Sequence, residues 1–193
     1  MKSFPVRVQH RHVHLSLKDT LFLFGSEDAL TPYKDIDHAE QMVYTQTVSI
    51  QTAHGRLTQL HVVGPSRVAT QVELSPTDAF VLGLRAPVRV SGDLSGAALC
   101  RIVAGKKSIR ARFAIVPSRH LHLSPKEAKQ LHVSQHQVVT MQDTVQTDCV
   151  LEDVVVRVHP TFASQLHIHA DDAASHWITE SSRFSIISTH LAV

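Results

Sequence analysis

A mainly β chain with few, short helices is the fold class this sequence predicts, and three observations carry the prediction. Short Val- and Ile-rich runs, many alternating apolar with polar residues, recur along the 193 residues, as expected of strands in barrels or sandwiches. Helix starts are confined to brief Ser-led caps. Two near-copies of one hexapeptide, Arg11-His12-Val13-His14-Leu15-Ser16 and Arg119-His120-Leu121-His122-Leu123-Ser124, divide the chain, and at this length such an echo favours two small domains over one large one.

Taken in order, Val6 and Val8 lie on even positions whereas Val13, Leu15 and Leu17 lie on odd ones. The apolar face therefore switches near Arg11, as it does where a strand leaves one core for another. Ser16, with Asp19 three residues on, predicts a first helix that Gly25 ends. The stretch 27–41 carries Pro32 and five acidic residues and has neither strand alternation nor a helical stripe, so it reads as an excursion. Strands are predicted at 43–50 and 57–63. Ser75-Pro76 with Asp78 opens a second helix that Gly83 stops. Strands follow at 88–91, 99–103 and 109–116. Ser124-Pro125 with Glu127 forms a capping box for a third helix. A strand at 150–158 precedes a weaker helix start at Asp171-Asp172, with Trp177 as a packing anchor beyond it, and 184–187 is the last predicted strand.

Composition narrows the class of function. Apolar residues make up 43% and charged residues 19%, ordinary values for a globular protein, and a net charge of +2 is too small for a dedicated nucleic-acid binder. Cys100 and Cys149 stand apart with no Cys-x-x-Cys, so neither a disulfide framework nor a thiolate zinc site is indicated. The N-terminal residues lack the apolar stretch of a secretory signal, and no run approaches the roughly 20 apolar residues of a membrane span. The expectation is a cytoplasmic protein with no membrane or nucleic-acid partner.

The unusual quantity is 15 histidines. On an extended strand alternate side chains share a face, so each His-x-His projects two imidazoles the same way. Four times, residues able to bind metal stand just before a helix start: His12 and His14, then Glu73, then His120 and His122, then His167 and His169. A helix N-terminus attracts anions such as phosphate, so metal and phosphate suit one place. Neutral imidazoles with a carboxylate favour zinc or another first-row dication over calcium or magnesium. Six residues, His12, His14, Glu73, His120, His122 and His167, exceed what one tetrahedral zinc with an open position uses, which makes two ions the expectation. His10, His38, His54, His61, His132, His136, His159, His176 and His190 have no partner pattern and are read as surface or satisfied core residues. Lys106-Lys107 with Arg101, Arg110 and Arg112 reads equally well as a basic rim for a phosphorylated ligand and as a solvated strand edge.

These motifs resemble the PduL-type phosphate acyltransferases, or phosphate propanoyltransferases, which exchange coenzyme A for phosphate on short acyl groups. The resemblance spans nearly the whole chain. It rests on the two Arg-His-x-His strings, Gly64-Pro65-Ser66-Arg67, Thr70-Gln71-Val72-Glu73-Leu74-Ser75, Ala86-Pro87-Val88-Arg89-Val90-Ser91-Gly92-Asp93-Leu94 and Leu166-His167-Ile168. It implies two small β-barrels capped by short α-helices with the active site between them. Residues 1–10 and 118–193 would form one barrel and 11–117 the other, around an excursion at about 25–45. It further implies that His12, His14, Glu73, His120, His122 and His167 bind two zinc ions, that Arg67 is the catalytic residue contacting phosphate, and that Arg89 joins it in substrate binding. The partners would be acyl-CoA or CoA and phosphate or acyl phosphate, and a homo-oligomer is compatible with this. Only ten residues precede Arg11, too few for a microcompartment tag plus a strand, so a freely soluble enzyme is expected.

Phosphate is already largely deprotonated near neutral pH and can attack a thioester carbonyl itself, so the absence of an evident Ser-His-Asp or Cys-His arrangement fits. Two departures from the family pattern stand out. His169 replaces an Asp and shares a face with His167, so it adds a ligand, displaces one or points at phosphate; and Ala104-Gly105-Lys106-Lys107 replaces a Gly-Pro-x-Gly turn. They leave a catalytically altered zinc-binding paralogue, acting as a binding module, as the alternative reading. A His-x-His amidohydrolase needs a TIM barrel of about 250 residues, which this strand-rich chain does not supply. A single cupin-like barrel does not explain the duplicated string.

Overall fold

A computed structural model of the chain describes residues 2–33 and 42–190. Its strands are β1 (Ser3–Gln9), β2 (His12–His14), β3 (Met42–Gln51), β4 (Arg56–Gly64), β5 (Gln71–Glu73), β6 (Val88–Arg89), β7 (Ala98–Ala104), β8 (Lys107–Pro117), β9 (His120–Leu123), β10 (Val138–Asp143), β11 (Val150–Val158), β12 (Gln165–His169) and β13 (Arg183–His190). Four short helices interrupt them: α1 (Leu17–Phe24), α2 (Pro76–Val81), α3 (Pro125–Gln130) and α4 (Ala170–Ser175), with a single 3₁₀ turn at Glu27–Ala29. The protein is mainly β, and none of these helices is long and apolar enough to cross a membrane.

The chain divides into two units, one made of Met1–Gln9 and Ser118–Val193, the other of His10–Pro117. The first is a closed barrel in the order β1-β12-β9-β11-β10-β13. Alternation builds its core: Leu121, Leu123, Val154 and Val156 are fully buried with Phe4, Val6, Met141 and Phe184, each worth about 1.5–3 kcal/mol when taken out of water. The second runs β5-β2-β4-β3-β7-β8 and closes through a parallel β5–β8 pairing, with β6 added alongside β8. Val13, Leu15, Ile50, Leu60, Val72 and Ile102 fill it. Val6 and Val13 thus belong to different cores, the physical content of the face switch near Arg11.

The two barrels repeat one pairing scheme. In the second unit β2 lies parallel to β4 and antiparallel to β5, with His12 opposite Glu73; in the first, β9 lies parallel to β11 and antiparallel to β12, with His120 opposite His167. Strand β1 flanks β12 as β8 flanks β5, both in parallel. Each barrel therefore receives one strand from just before the Arg-His-x-His string that enters the other.

The caps follow the sequence closely at three helices. Ser16 accepts the Asp19 N–H at 3.2 Å, and Gly25, at φ +94°, closes α1 by donating to Leu21 O. Ser75 with Asp78 and Ser124 with Glu127 both form full capping boxes with Pro at the first turn. Gly83, at φ +63°, follows the Leu82 cap of α2. The fourth start differs from expectation: α4 begins at Ala170, and its N-cap is His169, whose Nδ1 accepts the Asp172 N–H at 3.1 Å. Asp171 and Asp172 lie within the first turn. Trp177 is not a packing anchor; it is 84% exposed at φ +57° just past the helix. The predicted strand at 88–91 shortens to Val88–Arg89, and β10 was not visible in the sequence because Val139, Thr140 and Met141 are buried in succession instead of alternating. Of the expected excursion, the 3₁₀ turn and a Pro32–Tyr44 bridge are described; residues 34–41, with His38, lie outside the described residues.

Candidate metal centre

In the second unit the β2–β5 register sets His12 against Glu73, and alternation along β2 sends Val13 into the core while His12 and His14 share the opposite face. All three polar side chains are nonetheless buried. The His12 Nδ1 donates to His10 O at 2.8 Å and the His14 Nδ1 to Val63 O at 2.9 Å. A carbonyl only accepts, so both Nδ1 atoms carry the proton and both Nε2 atoms present lone pairs. Those two Nε2 atoms lie 3.1 Å apart. The Glu73 carboxylate adds Oε2 at 3.5 Å from His12 Nε2 and Oε1 at 3.7 Å from His14 Nε2. Two lone pairs and a carboxylate facing one another repel unless a cation joins them, and this N/N/O donor set suits zinc.

The electrostatics keep His14 and Glu73 in their ligating forms. Burial, reinforced by His12, lowers the His14 pKa to about 3, so its ring is neutral well below physiological pH. Burial would raise Glu73, but His12, His14 and Arg67 together outweigh it and hold the carboxyl at about 2. A hydrogen-bond web fixes Glu73 from behind. Oε1 accepts from Ser91 Oγ at 2.6 Å and from Gln71 Nε2 at 2.5 Å; Gly92 N–H donates to Gln71 Oε1 at 2.8 Å, and Arg67 Nη1 donates to Ser91 Oγ at 2.8 Å. The chain leaves β4 at Gly64, and the Arg67 N–H docks on Leu15 O at 2.9 Å, which holds Arg67 in this position. The separation of about 20 Å that a straight strand would impose between Arg67 and Glu73 at roughly 3.3 Å per residue does not arise.

In the first unit His120, His122 and His167 form the second group, again all buried, and in each group the ligand atoms lie within 4.8 Å of one another. The ring centroids of His120 and His122 are 4.9 Å apart, those of His120 and His167 4.9 Å, and those of His122 and His167 4.2 Å. The His120 Nδ1 donates to Ser118 O at 2.8 Å, repeating the His12–His10 bond. The Gln9 Nε2 lies 3.1 Å from His167 Nδ1, tying β1 to this group. Three imidazoles are a donor set for zinc.

His169 belongs to neither group. Its Nδ1 caps α4, which places the ring proton on Nε2, 3.3 Å from Asp172 Oδ2, so neither nitrogen offers a lone pair to a metal. Arg89 donates to Ser95 O at 2.9 Å and Val88 O at 2.8 Å, with Asp93 3.7 Å away. Sequence reasoning assigned no role to Gln71 and Ser91, whose link to Glu73 is tertiary for Ser91 and whose only local signal is that Gln71 shares a strand face with Glu73. It also missed the arginines of the duplicated strings. Arg11 Nη1 donates to Asp78 Oδ1 at 2.7 Å, and Arg119 grips Asp172 with Nε at 2.9 Å and Nη2 at 2.6 Å. Each ties a His-x-His strand to the first turn of the helix that follows the third residue of its group, Glu73 or His167. The repetition of Arg beside both strings was the available signal.

A family model described as phosphate propanoyltransferase matches residues 5–179. A protein of Alkaliphilus metalliredigens named phosphate propanoyltransferase is 38% identical over 169 residues, 87% of this chain and 80% of that one. One of that name from Thermotoga maritima is 38% identical over 171 residues, 87% and 81% of the two chains. Another from Enterococcus faecalis is 34% identical over 186 residues, covering 96% and 88%.

Proposed function

Because the chain belongs to the phosphate propanoyltransferase family, an enzyme family that transfers acyl groups, we propose that it is a zinc-dependent phosphotransacylase interconverting short-chain acyl-CoA plus phosphate with acyl phosphate plus CoA. The observation that carries the zinc requirement is the pair of His12 and His14 Nε2 lone pairs set 3.1 Å apart beside an ionised, buried Glu73. His12, His14 and Glu73 would hold one ion, and His120, His122 and His167 the other.

Bound zinc would supply Lewis-acid polarisation of the thioester carbonyl and positive charge for the departing thiolate. The chain's own residues do the rest. Arg67 orients phosphate by charge-assisted hydrogen bonds, and Ser91 couples that guanidinium to Glu73. A phosphate oxygen bonds to the acyl carbon, the carbon–sulfur bond breaks, and CoA leaves as thiolate. No cysteine competes as nucleophile, since burial pushes the Cys100 thiol up to about 12 and raises Cys149 as well. His169, engaged in a helix cap, leaves both ligand sets complete, which favours an active enzyme over a catalytically altered paralogue. The site of action is proposed to be the cytoplasm, where both substrates are found.

The test is phosphate-dependent release of free CoA thiol from acetyl-, propionyl- and butyryl-CoA. Zinc-loaded protein should release thiol only with phosphate present, and chelation should abolish it. Full activity after complete metal removal would refute the zinc requirement, and no thiol release with any of the three would refute the transferase reading.

A further inference from the structure

The ring of Phe162 lies flat on that of His122, with centroids 3.7 Å apart and planes within 8°. This is the tightest parallel ring contact among the described residues. The face of His122 is thereby taken by an aromatic plane, while His120 and His167 stand tilted around its other sides. Phe162 is itself delivered by a short, tied turn. His159 N–H donates to Leu123 O at 3.1 Å at the end of β9, His159 Nδ1 pairs with Thr161 Oγ1 at 2.8 Å, and Phe162 N–H donates to His159 O at 3.1 Å. The turn is thus anchored to the strand that carries His120 and His122.

The first group is framed differently. There Arg67, after β4, donates to Ser91, after β6, and Ser91 donates to Glu73, while Val68 next to Arg67 is wholly exposed. One group is flanked by a guanidinium, the other by an aromatic plane.

We infer that Phe162 is a positioning residue that clamps the His122 ring and so fixes the geometry and affinity of the metal held by His120, His122 and His167. The physical basis is the softness of the imidazole torsion. The outer side-chain torsion of histidine is broad, so a ligand ring needs an external constraint to keep Nε2 on the metal. A parallel aromatic face supplies that constraint without using either nitrogen. The inference rests on the zinc reading of this group, and the experiment separates the two.

Full-length wild type, Phe162→Leu and Phe162→Tyr would be loaded with zinc and, separately, with cobalt(II), then titrated with a chromophoric chelator while the cobalt visible bands are recorded. Wild type should hold two ions. In Phe162→Leu one ion should be lost about tenfold more readily, the scale on which residues supporting a ligand act, with a changed cobalt spectrum. Phe162→Tyr, which keeps the ring, should restore both. If Leu does not fold, Phe162→Met makes the same comparison. A Leu or Met variant with wild-type affinity and spectrum overturns the clamp and leaves the zinc reading standing. Equal weakening of both ions marks a general structural effect and also overturns it. Wild type that binds no ion tightly overturns both.

Discussion

Glu73 stands directly opposite His12 in the antiparallel pairing of β2 with β5, and its Oε2 comes within 3.5 Å of the His12 Nε2. The same register in the other barrel sets His167 opposite His120. One strand pair therefore builds a group able to hold a metal twice, with the carboxylate of the first group replaced by an imidazole in the second. The difference in charge is the main chemical distinction between them, and the guanidinium of Arg67 belongs to the side that carries the carboxylate.

Arg67→Ala should raise the KM for phosphate and lower kcat/KM at least tenfold, since hydrogen bonds to charged groups contribute about 1.5–3 kcal/mol, while leaving metal content intact. Arg67→Lys should recover little, because an ammonium lacks the planar fork. Steady-state kinetics with phosphate as the varied substrate, paired with metal analysis, check this. An unchanged phosphate KM in Arg67→Ala would remove Arg67 from the phosphate site.

Ser91→Ala removes at once the donor to the buried Glu73 carboxylate and the acceptor of the Arg67 guanidinium. Metal affinity should fall between 10- and 100-fold, the usual effect of losing a residue that orients a ligand. Chelator competition reads this, and an unaltered affinity would show that Gln71 alone holds the carboxylate.

His169→Ser should be nearly silent, because Ser75 caps α2 in the corresponding place of the other barrel, whereas His169→Ala should destabilise by about 1 kcal/mol through loss of a cap. Metal content should not change in either. A lost ion in His169→Ser would make His169 a ligand. Asp172→Asn, by contrast, leaves the half-buried Arg119 guanidinium without its bidentate partner and should cost about 3 kcal/mol, read by denaturant unfolding.

The Glu127 carboxyl is held at about 2, below its ordinary 4.5, by hydrogen bonds from Lys2, Ser124 and Ser164. An unfolded chain takes up this proton near pH 4.5 and the folded chain does not. The associated stability is therefore complete above pH 4.5 and declines as the pH falls from 4.5 towards 2. Glu127→Gln should be less stable at pH 7 and should lose less on acidification over that window. A wild-type slope in the variant would assign the acid sensitivity elsewhere.

The strings around His12 and His120 could be read because strand alternation has period two, so a His-x-His reports its own geometry wherever it lies. Three helix starts were legible for the same reason, since a Ser cap acts within three residues. His169 was not read as a cap because imidazole seldom fills that place, and its spacing from His167 matched a ligand face equally well. The closure of the second barrel through β5 and β8 joins residues distant in sequence by a parallel pairing and leaves no local trace. The link from Ser91 to Glu73 leaves no local trace for the same reason, and the place of Arg67 beside Ser91 depends on the turn after Gly64, which sequence spacing does not encode.

The most direct measurement is the number of zinc ions per chain in purified wild type, His12→Ala/His14→Ala and His120→Ala/His122→Ala proteins, each verified as folded. Two ions in the wild type and one in each double variant is the predicted result. A wild type without zinc, or double variants that keep the full complement, would contradict it.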